Sequence, residues 1–306
     1  MSELRTKVLV VGMDGLRFDR VLALRPPVLT SLMTSGTYGT SRLPYGERAA
    51  PRTGSPGEVV PEPHATAPGA IRARTDSGPG WSSIASGVWP DKHGVVDNGF
   101  SGQQFVKYPD FLTRALEARP DLDTAALFSW AALDEHGAFG RAIGTRVVLD
   151  GFALTFASAD REIAARAERH LADAGPDLTF VYLGDTDEVA HDLGPHAPEY
   201  TAALLLQDGF LGRFLDAIRA RPGFAGERWT VIVTTDHGHV DEGGHGGTTD
   251  EERTVFVIAA RLGEDLGGVE LPEARLVDVA PTALAELGIE PDPAWDLDGR
   301  SIFITC

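Results

Sequence analysis

Three apolar runs of the sequence end in acidic residues or histidine. The runs and the groups that follow them are Val8–Met13 before Asp14, Thr179–Leu183 before Asp187, and Val231–Thr235 before Asp236 and His237. Open α/β sheets bind ligands beyond the carboxyl ends of their strands, so groups at such positions are candidates for a functional site. A single aspartate there is more often a turn residue or a helix cap. Three separate occurrences indicate a site assembled from several strands.

Two further histidines extend this set toward a metal centre. Asp187 and His191 are four residues apart, which places both side chains on one face if the segment is helical. His245 lies in the run Gly243–Gly247, which is too flexible for packing to explain the histidine. The sole cysteine, Cys306, is the last residue, so no thiolate cluster is expected.

Carboxylates mixed with neutral imidazoles suit Zn²⁺ better than Mg²⁺, which prefers oxygen ligands. The candidate ligands are Asp14, Asp187, His191, Asp236, His237 and His245. Two zinc ions need about this many protein groups. The sequence therefore predicts a pair of zinc ions, with other divalent metals as the alternative.

A nucleophile is available in the segment Thr75–Gly87, which we expect to begin as a loop and continue as a helix. Ser77 stands at this junction, where unpaired backbone N–H groups and the helix dipole favour a phosphate. A serine at that position also serves as an ordinary helix cap. The segment alone leaves both roles open.

The residues around Ser77 resemble a known family. The matching stretches are Ser77-Gly78-Pro79, Ser86-Gly87 and Trp89–Asn98. They are similar to the nucleophile segment of the nucleotide pyrophosphatase/phosphodiesterases, within the alkaline phosphatase superfamily, and the resemblance runs from Val8 to about Ile258. It implies one zinc ion on Asp14, Ser77, Asp236 and His237, and another on Asp187, His191 and His245.

The resemblance assigns two more positions and shows two departures. Asn98, which follows Ser77 by 21 residues, matches the asparagine that stabilises the oxyanion. Tyr182, five residues before Asp187, matches an aromatic residue that flanks a nucleobase, although ordinary strand packing explains it equally well. The nucleophile is Ser77 where the family usually has threonine. Gly78 replaces an aromatic residue, so one wall of a nucleobase slot is missing.

The implied activity is hydrolysis of phosphodiester or pyrophosphate bonds in a small substrate, nucleotides included, through a phosphoseryl intermediate. Asn98 and the backbone amides at Ser77 would bind the non-bridging oxygens. The alternative is a phosphomonoesterase that acts on a small phosphorylated metabolite at the same metal site. A sulfatase is disfavoured because Trp81 stands where its modification motif requires arginine. A non-enzymatic sensor is disfavoured because every metal position and the nucleophile retain suitable residue types.

Composition supports a folded protein and restricts its partners. The chain has 306 residues, 42% of them hydrophobic, and a net charge of −18. This charge disfavours nucleic acid polymers and anionic membrane surfaces as partners. The small-molecule phosphoester is the partner that the resemblance implies. The apolar run before Asp14 has about six apolar residues, too few for a signal peptide, and we expect a cytoplasmic protein.

Strand-like runs alternate with helical patterns along the chain. We predict an α/β fold in which a mostly parallel central sheet carries helices on both faces, as a single domain over residues 1–306. The resemblance implies that this fold is alkaline-phosphatase-like. It also implies that the large cap of bigger relatives is absent, because no large insertion separates His191 from Asp236. The predicted strands are Lys7–Met13, Thr124–Phe128, Thr179–Leu183, Thr230–Thr235 and Val255–Ala259, and the clearest helices are Ser158–Ala174, Ala197–Arg221 and Asp278–Leu287. A Pro/Gly-rich loop is predicted at about residues 44–73, either as a mobile surface insertion or as a lid.

Overall fold

The computed structural model describes residues 4–48, 70–173 and 175–303. Its strands are β1 (Arg5–Met13), β2 (Thr37–Arg42), β3 (Tyr45–Arg48), β4 (Ala70–Arg72), β5 (Thr124–Phe128), β6 (Thr145–Val148), β7 (Leu178–Leu183), β8 (Glu227–Thr234), β9 (Thr254–Arg261) and β10 (Val269–Glu270). Its helices are α1 (Phe18–Leu24), α2 (Pro27–Ser35), α3 (Ser77–Ser86), α4 (Pro90–His93), α5 (Phe111–Ala118), α6 (Ala132–Glu135), α7 (Gly151–Leu154), α8 (Phe156–Asp173), α9 (Asp185–Leu193), α10 (Pro198–Arg219), α11 (Asp250–Arg253) and α12 (Val279–Glu286). None of these helices is long and apolar enough to cross a bilayer.

Eight of the strands form one sheet in the order β10-β2-β9-β8-β1-β7-β5-β6. Strands β8, β1, β7, β5 and β6 are mutually parallel, whereas β9 runs antiparallel to both β8 and β2. The prediction of a mostly parallel α/β fold is confirmed. The five predicted strands and the three predicted helices are all present, with ends that shift by a few residues.

Alternating side chains of β1 divide the core between the two faces of the sheet. Val8 and Val10 point into a cluster with residues of α3, α5 and α12. Leu9 and Val11 point into a second cluster with residues of α1, α2, α8 and α10. A strand buried on both faces reads as a continuous apolar run, which is why β1 was recognisable from sequence.

The order of the strands brings the predicted strand ends together. β1 lies between β8 and β7 and pairs in parallel with both. The carboxyl ends of these three neighbours therefore meet at one edge of the sheet, where Asp14, Asp187 and Asp236 follow them in the chain.

The predicted loop at residues 44–73 differs from the structure at both ends. β3 and β4 pair as an antiparallel two-stranded sheet, and Ile71 of β4 is buried. Strands of three or four residues are too short to show a periodic pattern, so the sequence did not reveal them. Residues 49–69 lie outside the described residues, and the single-domain organisation stays a prediction.

A buried ion pair lies at the opposite edge of the sheet. Asp177, at 2% exposure, accepts hydrogen bonds from Arg5 (3.0 Å), Lys7 (3.0 Å) and the backbone of Asp123 (3.0 Å). Burial alone would raise the pKa of Asp177, but these hydrogen bonds outweigh burial and lower it. The stabilisation is therefore complete above the ordinary aspartate pKa and is lost as the pH falls through the lower folded value.

We expect Asp177→Ala to lower the free energy of unfolding by about 3–5 kcal/mol, because the buried Lys7 ammonium loses its carboxylate. Urea denaturation at neutral pH measures this loss. Arg5→Ala is the matched control, since the Arg5 side chain is 66% exposed and should cost about 1 kcal/mol or less. Equal losses for the two variants would contradict the buried-pair explanation.

Candidate active site

The first group of candidate residues surrounds His237. Its Nε2 atom lies 3.5 Å from Asp14 Oδ1, 3.2 Å from Asp236 Oδ2 and 3.2 Å from Ser77 Oγ. Ser77 begins α3 and is 5% exposed, while Asp14, Asp236 and His237 are fully buried. The structure thus brings together the four residues that the resemblance assigns to one ion.

The carboxylate of Asp14 is held with one oxygen free. Trp81 Nε1 (2.9 Å) and the Tyr182 hydroxyl (2.5 Å) both donate to Oδ2. Oδ1 is buried without a hydrogen-bond partner, and so is Oδ2 of Asp236. Buried carboxylate oxygens without a donor are costly unless a cation binds them. The ligand atoms of Asp14, Asp236 and His237 all lie within 4.8 Å of one another, so these three residues could hold a metal ion.

Backbone carbonyls set the orientation of two histidines. Nδ1 of His237 lies 3.0 Å from the Gly238 carbonyl, and Nδ1 of His245 lies 2.5 Å from the Thr75 carbonyl. Only a protonated Nδ1 can donate to a carbonyl, so Nε2 of each ring keeps its lone pair for a ligand. Burial lowers the pKa of both histidines, which favours the neutral imidazole that metals bind.

The second group lies on α9 and on the glycine-rich loop. Asp187 and His191 share a face of α9, with His191 Nε2 3.5 Å from Asp187 Oδ2. His245 Nε2 is 2.9 Å from His191 Nε2 and 3.5 Å from Asp187 Oδ1. The ligand atoms of these three residues all lie within 4.8 Å of one another.

His239 is a site residue that sequence reasoning left without a role. Its Nε2 atom lies 2.8 Å from Asp187 Oδ1, and the ring is fully buried. Asp187, His237 and His239 form an alternative cluster of metal-ligand type. The sequence did contain an indication of this role. His239 follows His237 by two residues, and in an extended segment such residues lie on the same side.

Electrostatics also fit a divalent cation. Burial raises the pKa of Asp187 well above its usual range, and the neighbouring Asp14 raises it further. Burial, Asp14 and Asp187 raise the pKa of Asp236 in the same way. Close carboxylates ionise together only when positive charge is supplied, and a bound dication removes the repulsion. The donor set of carboxylates and neutral imidazoles fits zinc.

The glycine-rich loop that carries His245 is anchored on the carboxyl side of this histidine. Thr75 Oγ1 donates to the Gly247 carbonyl (2.9 Å) and accepts from the Gly246 amide (2.9 Å). The Glu252 carboxylate, which is buried, accepts from the amides of Gly247 and Thr249. These contacts hold His245 beside α9 although the loop has no regular structure.

A buried polar network positions the start of α9. Asp160 on α8 accepts from the amides of Gly184 (3.0 Å) and Asp185 (2.9 Å) and from the Gln207 side chain (3.1 Å). Thr186 contacts Gln207 and donates to the Asp14 carbonyl (2.6 Å). Burial raises the pKa of Asp160 to about 6. Through these bonds the backbone positions of the Asp14 and Asp187 segments depend on each other.

Asn98 reaches the start of α3 from an exposed loop. Its Oδ1 atom accepts from the Gly78 amide at 2.7 Å, which leaves the side-chain NH₂ group to donate elsewhere. The backbone amides at Ser77 were expected to bind the non-bridging oxygens, but the neighbouring Gly78 amide donates to Asn98 instead. A Cβ atom at position 78 would lie 2.7 Å from the Asp97 carbonyl oxygen. The close approach of the Asn98 loop therefore leaves no room for a side chain at position 78, where the resemblance implies an aromatic residue.

Tyr182 lies in the core beside Asp14. Its ring is 2% exposed and packs edge-on against Trp81 at 5.1 Å between centroids. The described residues leave no free face of the ring for a base, so a substrate contact of Tyr182 stays a prediction. The second explanation, strand packing, fits the contacts, and the hydroxyl adds the hydrogen bond to Asp14.

The chain matches known proteins of related types. A family model described as type I phosphodiesterase / nucleotide pyrophosphatase matches residues 73–252. The 2,3-bisphosphoglycerate-independent phosphoglycerate mutase of Natronomonas pharaonis is 29% identical over 133 residues, which cover 42% of this chain and 25% of that protein. The mutase of the same name from Chloroflexus aurantiacus is 32% identical over 137 residues, covering 42% and 23%. The chain thus spans about a quarter of the length of these curated relatives.

Solved structures share the fold. Murine ectonucleotide pyrophosphatase/phosphodiesterase 5, in its inactive form in complex with AMP, gives a TM-score of 0.64 at 15% identity, over 95% of this chain and 99% of that one. The phosphonate monoester hydrolase of Agrobacterium radiobacter gives 0.62 at 15% identity, over 97% and 76%. At this level of identity the two likenesses show the architecture.

We expect metal-stripped protein to regain stability on addition of Zn²⁺, because the ion relieves the repulsion among Asp14, Asp187 and Asp236. At a free zinc concentration of 100 times the dissociation constant, the gain is about 2.7 kcal/mol per site. Thermal unfolding with and without a chelator, together with metal analysis of the reloaded protein, measures it. Identical unfolding curves in zinc and in chelator would contradict this assignment.

Proposed function

The chain belongs to the type I phosphodiesterase/nucleotide pyrophosphatase family, and on this premise we propose that it is a two-zinc hydrolase of small phosphodiesters or pyrophosphates that acts through a phosphoseryl intermediate. Asp14, Ser77, Asp236 and His237 would hold one ion, and Asp187, His191 and His245 the other. The substrate is a small molecule, with neither a nucleic acid polymer nor a membrane as partner. The cytoplasmic location stays a prediction.

The position of Ser77 carries this proposal. Its hydroxyl lies 3.2 Å from His237 Nε2, at the edge of the buried Asp14 and Asp236 carboxylates. It also stands at the amino end of the ten-residue helix α3, where the helix dipole favours a phosphate. Asp76 occupies the N-cap position of α3, so the role of an ordinary helix cap does not explain Ser77. AMP in the related mammalian structure is consistent with a phosphoester ligand.

Each side chain has a definite task in the proposed reaction. When bound, the zinc ions would neutralise the phosphoester and lower the pKa of the Ser77 hydroxyl. Ser77 Oγ attacks phosphorus, the bond to the leaving group breaks, and water later cleaves the phosphoseryl bond. The Asn98 NH₂ group donates to a non-bridging oxygen. Two in-line displacements give net retention of configuration at phosphorus.

The surroundings of Ser77 favour a monoanionic diester over a dianionic monoester. Asn98 is a neutral donor, whereas sites for monoesters often add a cation beside the metals. Lys92 is engaged elsewhere, with Asp298 at 2.8 Å. Arg74 is paired with Asp76 at 3.2 Å. Neither cation is therefore free to neutralise a second phosphate charge.

A phosphomonoesterase remains the second candidate. The curated relatives are named phosphoglycerate mutases, and phosphoglycerate carries its phosphate as a monoester. The same metal groups and Ser77 serve both reactions, so the substrate decides between them.

We expect Ser77→Ala to lower kcat by several orders of magnitude, because water is positioned less well than the tethered hydroxyl. Steady-state assays and trapping of phosphoserine by mass spectrometry measure the effect. Thr75→Val tests the neighbouring hydroxyl, which is occupied by Gly246 and Gly247 and should affect zinc retention more than chemistry. If Thr75→Val loses most of its kcat while Ser77→Ala keeps nearly all of it, the nucleophile is Thr75.

We expect bis(p-nitrophenyl) phosphate to exceed p-nitrophenyl phosphate in kcat/KM. The physical reason is the missing cation at the phosphate, since a monoester brings about one more negative charge. A p-nitrophenyl nucleoside monophosphate and the sulfate analogue complete the comparison. A monoester advantage of about tenfold, equal to about 1.4 kcal/mol of transition-state binding, would favour the phosphatase.

A further inference from the structure

With two zinc ions bound, the charge at the proposed site would be closely balanced. The ions would bring four positive charges, and the carboxylates of Asp14, Asp187 and Asp236 would bring three negative ones. An ionised Ser77 hydroxyl would cancel the fourth. A nearby fixed charge then decides whether the site attracts or repels the second charge of a phosphate monoester.

Asp76 supplies such a charge directly before the nucleophile. Its side chain is 19% exposed, and its Oδ1 atom lies 3.9 Å from His245 Nδ1. It occupies the N-cap position of α3 but makes no capping hydrogen bond. Its Oδ2 atom is buried without a hydrogen-bond partner, 3.2 Å from Arg74 Nε. The carboxylate therefore contributes charge to the site and little to the helix.

Arg74 is the compensating cation. Its side chain is 49% exposed, so it reaches solvent while it remains beside Asp76. Arg17 and Lys92 are already bound to other carboxylates, Arg17 to Asp19 and Asp241. Arg74 and Asp76 thus offset each other's charge next to Ser77.

We propose that the Arg74–Asp76 pair determines substrate charge selectivity, with Asp76 acting against dianionic monoesters and Arg74 limiting that effect. This inference rests on the proposed function. It assigns the enzyme's preference for monoanionic diesters to Arg74 and Asp76. Removal of Asp76 would leave one excess positive charge at the site, and removal of Arg74 would leave one excess negative charge. The two substitutions should therefore change selectivity in opposite directions.

The test compares Asp76→Asn, Arg74→Met and the double variant, each loaded with zinc. The readout is the ratio of kcat/KM for p-nitrophenyl phosphate to that for bis(p-nitrophenyl) phosphate. Asp76→Asn should raise the ratio on the order of tenfold, Arg74→Met should lower it, and the double variant should return near wild type. Raised ionic strength should reduce both shifts.

Glu162→Gln is the charge-matched control, because it removes one carboxylate from the exposed surface of α8 and should leave the ratio unchanged. Thermal unfolding of the metal-free variants should resemble wild type, since Asp76 makes no cap bond. A ratio that stays constant, or shifts that run in the same direction for Asp76→Asn and Arg74→Met, would overturn the proposal.

Calorimetry with inorganic phosphate and dimethyl phosphate separates this inference from the proposed function. Asp76→Asn should tighten phosphate binding while binding of the monoanionic dimethyl phosphate changes less. If neither ester is hydrolysed but these affinities still shift in opposite directions in the two variants, the function fails and the charge inference holds. If hydrolysis occurs with unchanged affinities and ratios, the inference fails and the function holds.

Discussion

Electrostatic repulsion among Asp14, Asp187 and Asp236 is the constraint on which the site depends. The pairing of β8, β1 and β7 places the three carboxylates at one edge of the sheet, where Asp14 and Asp236 are fully buried. Isolated from a cation, such groups resist ionisation, as the raised pKa values of Asp187 and Asp236 show. The fold therefore concentrates negative charge at a cost that a bound divalent ion would offset.

The surrounding structure prepares these groups for a cation. Trp81 and Tyr182 occupy one oxygen of Asp14, and backbone carbonyls orient His237 and His245. Asp160, Gln207 and Thr186 connect α8, α10 and the beginning of α9 to the Asp14 carbonyl. A metal ligand must be held by a second layer of hydrogen bonds if its geometry is to persist without the ion. Among the described residues, these buried hydrogen bonds hold the candidate ligands in place.

Differences from the family pattern have local explanations. Gly78 has no side chain, so the Asn98 loop can approach the start of α3 and Asn98 can accept a hydrogen bond from the Gly78 amide. An aromatic residue at position 78 would prevent this approach. Tyr182 faces inward because it alternates with Val181 along β7, and each lies in a different face of the core. The spacing of five residues between Tyr182 and Asp187 placed Tyr182 on β7. The spacing could not show on which side of the sheet the ring lies.

The sequence alone was sufficient to predict the fold class, the main elements and a list of candidate ligands. Strands buried on both faces and long amphipathic helices carry strong local patterns, so apolar runs and helical spacing identified them. The order of acidic and histidine residues supplied the candidate ligands. Only the tertiary structure decided that β1 lies between β8 and β7, that His239 contacts Asp187, and that β3 pairs with β4. These facts depend on contacts between residues far apart in the chain, and no local pattern encodes which strands become neighbours or how close two side chains approach.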